Sequence, residues 1–337
     1  MATFKIYKLH FTSPLHIESR QGDSSVSMTT VCSDTFYAAI TSCLAKRGDQ
    51  VPDDGDLGFT VSSLFPYYQK DETDSPVFFL PMPLPLKRAN LLDVSFAKKL
   101  KKIQWVDASI FGEMISGLNG FDTDKHVHEI QGAYLTEEEL KEAADGSREF
   151  VVSEVSQRVC IKSRTGEEDA KPYFVDKILF RYHSGLYFIV EGDTSKLEAA
   201  LQMLSLEGIG TDRNVGYGFF EYSVDTLSLE TPTQANHQIN LSLMIPESEN
   251  QLRQMMDSDL VAYDFVRRGG WITTSPYNTL RKNAIYAFLP GSVFKNVMKD
   301  PAAPVGKIVN LAPNMGEMTP DHPVWRSGRS IVLPFKF

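Results

Sequence analysis

Between Glu207 and Tyr222 the chain reads EGIGTDRNVGYGFFEY, with four glycines (Gly208, Gly210, Gly216 and Gly218) around a polar turn that carries Arg213 and Asn214. Glycine is placed where the backbone takes positive φ or where another backbone comes close, so two pairs of them call for a tight loop able to receive an extended ligand. The preceding segment, TSKLEAALQMLSL, has helix formers with apolar residues at Leu197, Leu201 and Leu204, and the following run alternates like a strand. Gly208 stands where a left-handed helix cap is expected. This helix–loop–strand order excludes two phosphate-binding loops. A P-loop needs Gly-Lys-Ser/Thr, but Tyr217 follows Gly216, and the dinucleotide fingerprint has a third glycine where Arg213 stands and runs strand to helix. Two readings remain: a helix cap followed by a β-bulge, or the backbone-lined rim of a groove.

The rest of the chain supplies a sheet for that loop. Phe4–Phe11 alternates with a phase slip at Tyr7 and Lys8, which predicts a first strand with a bulge. Ser33-Asp34 is an N-cap pair opening the helix TFYAAITSCLAKR, closed by Gly48. Val77–Leu80 reads as the second strand. Lys177–Glu191 resembles a hairpin turned at His183-Ser184-Gly185, and the helix, the glycine loop and a strand from Tyr217 to Val224 follow. Collected, the order is β-α-β-β-α-β, a ferredoxin-like or RRM-like sheet, and the expected fold class is α+β. Residues from about 87 to 177 read as a large insertion: short helices at Asp93–Lys102 and Asp107–Ile115, a capping-box helix at Glu137–Ala144, and a strand over Glu149–Lys162. The polar, Pro-containing stretch Thr231–Gln238 is a linker, dividing a first domain (1–230) from a second, β-rich one (231–337).

Composition narrows the function. In 337 residues, 42% hydrophobic and 11% aromatic content suits a globular protein, and no run of about 18 apolar residues exists to cross a membrane. The N-terminus alternates instead of presenting a signal segment, so cytoplasm is expected. Three cysteines without Cys-x-x-Cys spacing argue against a disulfide framework or a zinc site. A net charge of −9 opposes nucleic-acid binding at face value. The distribution softens that objection: acid gathers in Asp49–Asp56, Asp71–Asp74 and Glu137–Glu142, and cations in Lys87–Lys102 and Arg158–Arg164, so RNA and a basic partner can occupy different faces.

Several segments, spread over the whole chain, resemble the RAMP superfamily of CRISPR-associated proteins. They are YKLHFTSPLHI, SDTFYAAI, GIGTDRNVGYGFF, LRKNAIYAFLPGSVF and HPVWRSG. The last two point to the family of fourth subunits of type III-A (Csm) effector complexes. The resemblance implies two ferredoxin-like domains and a non-catalytic subunit that grips the 5′ tag of the CRISPR RNA. It implies contacts with a large polymerase-like subunit and a backbone subunit, and a thumb hairpin within the 87–177 insertion, near target RNA at the tag–guide junction. Asp212 beside Arg213 departs from the small and basic residues usual in this loop.

The residues expected to meet RNA follow from both lines of reasoning. The glycine loop offers N–H donors through Gly208, Gly210, Gly216 and Gly218, with Arg213 and Asn214 beside them and Tyr217 as a stacking platform or core aromatic. Arg158, Lys162 and Arg164 have the even spacing of one strand face. Lys87 and Arg88 open the basic insertion, Ser33 and Thr35 open the first helix, and His16 stands in the loop after the first strand. In related RAMP endoribonucleases that histidine position holds a general base, so a metal-independent endoribonuclease is the alternative reading, and the equivalent type III-B subunit a third. His126-Val127-His128-Glu129 lacks a companion cluster with metal spacing, and Asp53-Asp54-Gly55-Asp56 lacks the calcium-loop pattern, so no cofactor or metal is expected.

Overall fold

The computed structural model describes residues 1–20, 23–85, 100–117, 128–141, 146–160, 171–297, 304–316 and 319–337. At its centre lies strand β1 (Ala2–Phe11), paired along its length with a later strand. Its phase slip is not a bulge. Tyr7, Leu9 and Phe11 face one core and Ile6, with half-buried Phe4, faces another, so both sides of the strand are apolar and the register stays unbroken.

Downstream of β1, β2 (Glu18–Arg20) and β3 (Asp23–Ser27) form a small hairpin. Helix α1 (Ser33–Arg47) buries Phe36, Tyr37, Ile40, Cys43 and Leu44, the spacing of one helical face, and ends on Gly48 in the left-handed region. Burying a side chain such as Phe36 contributes about 1.5–3 kcal/mol. Strands β4 (Phe59–Val61), β5 (Phe65–Tyr68), β6 (Val77–Pro81) and β7 (Trp105–Asp107) follow. Next come α2 (Ala108–Ser116), whose Asp107 cap accepts from the Ile110 amide, then β8 (His128–Ile130) and β9 (Tyr134–Thr136). A long hairpin, β10 (Val151–Cys160) with β11 (Lys171–Phe180), leads to β12 (Gly185–Gly192), α3 (Ser195–Glu207) and β13 (Phe220–Leu229).

The main sheet runs β13-β1-β12-β5-β6-β7-β9-β8, with β4 also on β12. Its first four places follow the split β-α-β-β-α-β order. Three expectations change. The strand beside β12 is β4 and β5, and Val77–Pro81 lies one place further out; Pro66 within β5 hid that strand. Lys177–Glu191 is not a hairpin, because β11 pairs with β10 while β12 pairs with β1. Residues 137–141 are not helical: Thr136 Oγ1 accepts from the Glu138 amide and Asp107 from that of Glu137, so the capping residues close a turn instead.

One face of the sheet packs on α1 and α3, through Leu197, Ala200, Leu201 and Leu204 of the latter. The other face is covered by α2 and by the C-terminal part, whose Ile239, Leu241, Val293, Leu333 and Phe335 share a core with Ile6, Tyr187 and Ile189. That part contains β14 (His237–Asn240), helix α4 (Glu249–Met256), the hairpin β15 (Phe265–Arg268) with β16 (Ile285–Phe288), and β17 (Val293–Lys295). It closes with the pair β18 (Ile308–Asn310) and β19 (Trp325–Ser327), then β20 (Val332–Phe335). Strand β14 lies between β17 and β20. The result is a mixed α+β architecture, mostly sheet with few helices.

Candidate nucleic-acid interface

The glycine loop folds back on itself and onto the loop after β1. The Ile209 amide donates to Gly218 O at 3.0 Å, Gly218 to Pro14 O at 2.8 Å, and Thr211 to His16 O at 2.9 Å. A Cβ on Gly218 would lie 2.0 Å from Ile209 O, on Gly210 2.4 Å from His16 O, and on Gly208 2.5 Å from Tyr217 O, so these three glycines permit close main-chain approach. Gly216 faces open space at φ 94°, the left-handed end of a short 3-10 turn over Arg213–Val215. Gly208 itself, at φ 81° and ψ 165°, is positive in φ but not a left-handed cap. The expectation that the loop presents its amides to phosphate needs correction at three of its four glycines, Gly208, Gly216 and Gly218. Those of Gly208, Ile209, Thr211, Val215, Gly216, Tyr217 and Gly218 all donate within the protein.

The side chains divide in the same way. His16 is buried, its Nδ1–H donating to Asp176 O at 2.6 Å, which withdraws it from an RNA surface. Ser33 is buried too: its Oγ accepts from the Leu243 amide, and the helix cap position falls on Cys32. Thr35 Oγ1 accepts from Arg268. Arg158, on β10, reaches the glycine loop, donating to Asp212 at 2.8 Å and to Tyr217 Oη at 2.9 Å with its guanidinium over the tyrosine ring. Two of the expected residues, Arg158 and Tyr217, thus meet, and Asp212 serves as their anchor. Lys87, Arg88, Lys162 and Arg164 lie outside the described residues.

Gly210, Arg213 and Asn214 line the mouth of a groove with Lys46, Thr273, Asp212 and Glu207, and the Glu207 carboxylate pairs with Lys46 at 2.6 Å and with Arg213 at 4.0 Å. The groove continues, at about 500 Å³, between α1 and the C-terminal part, past Lys46, Arg213, Lys282, Trp325 and Arg326. Two of its lining cations, Lys282 and Arg326, belong to an unequal charge cluster. Asp34, 3% exposed, is held by Arg268 Nε and Nη2, each at 3.0 Å, and Arg326 Nε stands 3.8 Å away. Burial alone would push the Asp34 carboxyl up, but the two guanidiniums hold it below the usual carboxylate range. Lys282 has no ion-pair partner among the described residues, and burial with the nearby Arg326 lowers its ammonium from 10.5 to about 8. Three cations therefore face one carboxylate beside an open groove. A phosphate there would balance the charge. Among the described residues no group of His, Cys, Asp and Glu is arranged to hold a metal ion.

Residues 233–335 match the family "CRISPR Csm4 C-terminal domain". The "CRISPR system Cms protein Csm4" of Methanocaldococcus jannaschii is 24% identical over 286 residues, 71% of this chain and 73% of the relative. That of Streptococcus thermophilus is 21% identical over 328 residues, 92% and 93% of the two chains. Together these matches support reading this chain as a Csm4 subunit of a type III CRISPR complex. Its fold agrees: a chain of the Csm3-Csm4 subcomplex in the type III-A CRISPR-Cas interference complex superposes with TM-score 0.63 at 18% identity, covering 100% of both chains. A chain of the Csm1-Csm4 cassette in complex with cA4 gives 0.59 at 19%, covering 100% of this chain and 99% of that one. The groove residues that sequence reasoning missed, Lys282 and Arg326, stand inside LRKNAIYAFLPGSVF and HPVWRSG, two segments on which the family likeness rests. The likeness marked the segments; only the fold brings them opposite Asp34.

Proposed function

We propose that this chain is a subunit of a type III CRISPR effector complex of the III-A kind, a non-catalytic one that holds the 5′ tag of the CRISPR RNA in the groove beside the glycine loop. The carrying observation is the charge excess of Arg268, Lys282 and Arg326 over Asp34; Arg213 and Lys46 at the rim are both paired with Glu207. Single-stranded RNA brings phosphates to such cations and unstacked bases to Trp325 and Tyr217. The burial of His16 supports a role in positioning the loop rather than in cleavage, since a general base must reach its substrate.

The solved assemblies pair a Csm4 protein with Csm1 and with Csm3, which supports a bridge between a large polymerase-like subunit and a backbone subunit; the proposed place of work is the cytoplasm. The reading includes two ferredoxin-like domains meeting at the groove, and a thumb formed by β10 and β11, tied to the glycine loop by Arg158 near the far end of the paired strands and directed to target RNA near the tag–guide junction. Filter binding of tagged and tag-less CRISPR RNA to the assembled complex tests the central claim: the tag-less RNA binds more weakly, and equal affinities would refute tag reading.

A further inference from the structure

A second pocket, of about 230 Å³, lies on the sheet face turned away from α1 and α3. Tyr7, Leu9 and Phe11 point to the helices, so the alternate residues Lys8 and His10 stand on the opposite side, where Gln69, Glu72, His183 and Glu221 join them. His10 pairs across the ladder with Glu221 and stacks on His183, ring centroids 5.9 Å apart. The chemistry of this wall is one-sided. Gln69 Nε2 donates to the carbonyls of Glu72 and Asp74, at 3.0 and 2.9 Å, leaving Oε1 to accept. His10 Nδ1 is buried with no partner among the described residues. Glu72 and Glu221 are exposed acceptors, and the lining cation, Lys8, is already paired with Asp225 at 3.2 Å.

We propose that this pocket receives an arginine side chain from a partner protein. A guanidinium has five N–H donors and no acceptor, which complements two carboxylates and an amide oxygen, and its flat face stacks on imidazole or tyrosine. A phosphate meets two carboxylates there and no free cation, and a lysine ammonium lacks the flat face. The inference does not depend on the RNA groove, which involves none of these side chains.

The test is NMR of the histidine ring Cε1–Hε1 signals in the full chain, with His10→Asn and His183→Asn variants for assignment. The probes are N-acetyl-arginine-methylamide, its citrulline analogue and cytidine monophosphate. The expected result is a saturable shift of the His10 and His183 signals by the arginine probe alone, weakened roughly 5-fold or more by Glu72→Gln with Glu221→Gln. These two exposed side chains can change without disturbing the fold. No saturable shift, an equal response to citrulline, tighter binding of the nucleotide, or an unchanged double variant would each overturn the proposal.

Discussion

Lys282 gives the RNA groove a pH dependence that can be worked out in advance. Its ammonium is lowered from 10.5 to about 8 first by burial, then by Arg326. A phosphate bound beside it favours the charged form and draws the value back up. With full recovery, linkage gives a loss of RNA affinity of roughly 30-fold between pH 7 and 9.5, and with half recovery roughly 10-fold. The sign follows from protons: the bound state holds one that the free state has released, so raising the pH favours release of RNA. At pH 8.5 binding takes up about 0.7 proton, measurable by titration calorimetry in buffers of different ionisation enthalpy. In Lys282→Met both the uptake and this part of the pH profile vanish, and affinity at pH 7 falls. Lys282→Arg keeps the affinity and loses the pH dependence, because a guanidinium stays charged throughout this range. If the wild type and Lys282→Met show the same profile and the same proton uptake, the groove is not where the phosphate sits.

Asp34→Ala leaves the Arg268 and Arg326 guanidiniums facing each other without a carboxylate, and denaturant unfolding is expected to show a loss of about 3–5 kcal/mol. The folded Asp34 carboxyl lies below its ordinary 3.8, so its stabilisation is present above that pH and is lost as the pH falls through the lowered value; a pH series of melts that is identical for wild type and Asp34→Asn would contradict this. Gly218→Ala forces a Cβ against Ile209 O and is expected to cost several kcal/mol, whereas Gly216→Ala faces open space and costs only the strain of its positive φ, about 1–2 kcal/mol; equal melting temperatures would contradict the packing account. Incubating the purified chain with repeat RNA in EDTA is expected to yield no discrete fragments, and cleavage lost on His16→Ala would restore the endoribonuclease reading.

Local structure was legible wherever the chain's own periodicity decided it. The stripe Phe36, Tyr37, Ile40, Cys43, Leu44 with Gly48 beyond it reads as a capped helix in any context, and so does Leu197 to Leu204. The second strand was not legible, because Pro66 and the short run Phe65–Tyr68 look like a loop until β12 and β6 flank them. The first strand misled in the opposite direction: its broken alternation is the mark of a strand buried on both faces, which depends on what covers the sheet.

For the site, the sequence by itself determined that a glycine loop with Arg213 stands between a helix and a strand, and that the chain resembles one family from end to end. Tertiary structure decided what those parts do. It turned three of the glycines into packing positions, buried His16 and Ser33, and drew Asp34, Arg268, Lys282 and Arg326 from segments far apart in the chain into one cluster. The physical reason is range. Propensity and periodicity act over a few residues and can be read along the chain, whereas charge balance and burial depend on neighbours that only the folded chain assembles.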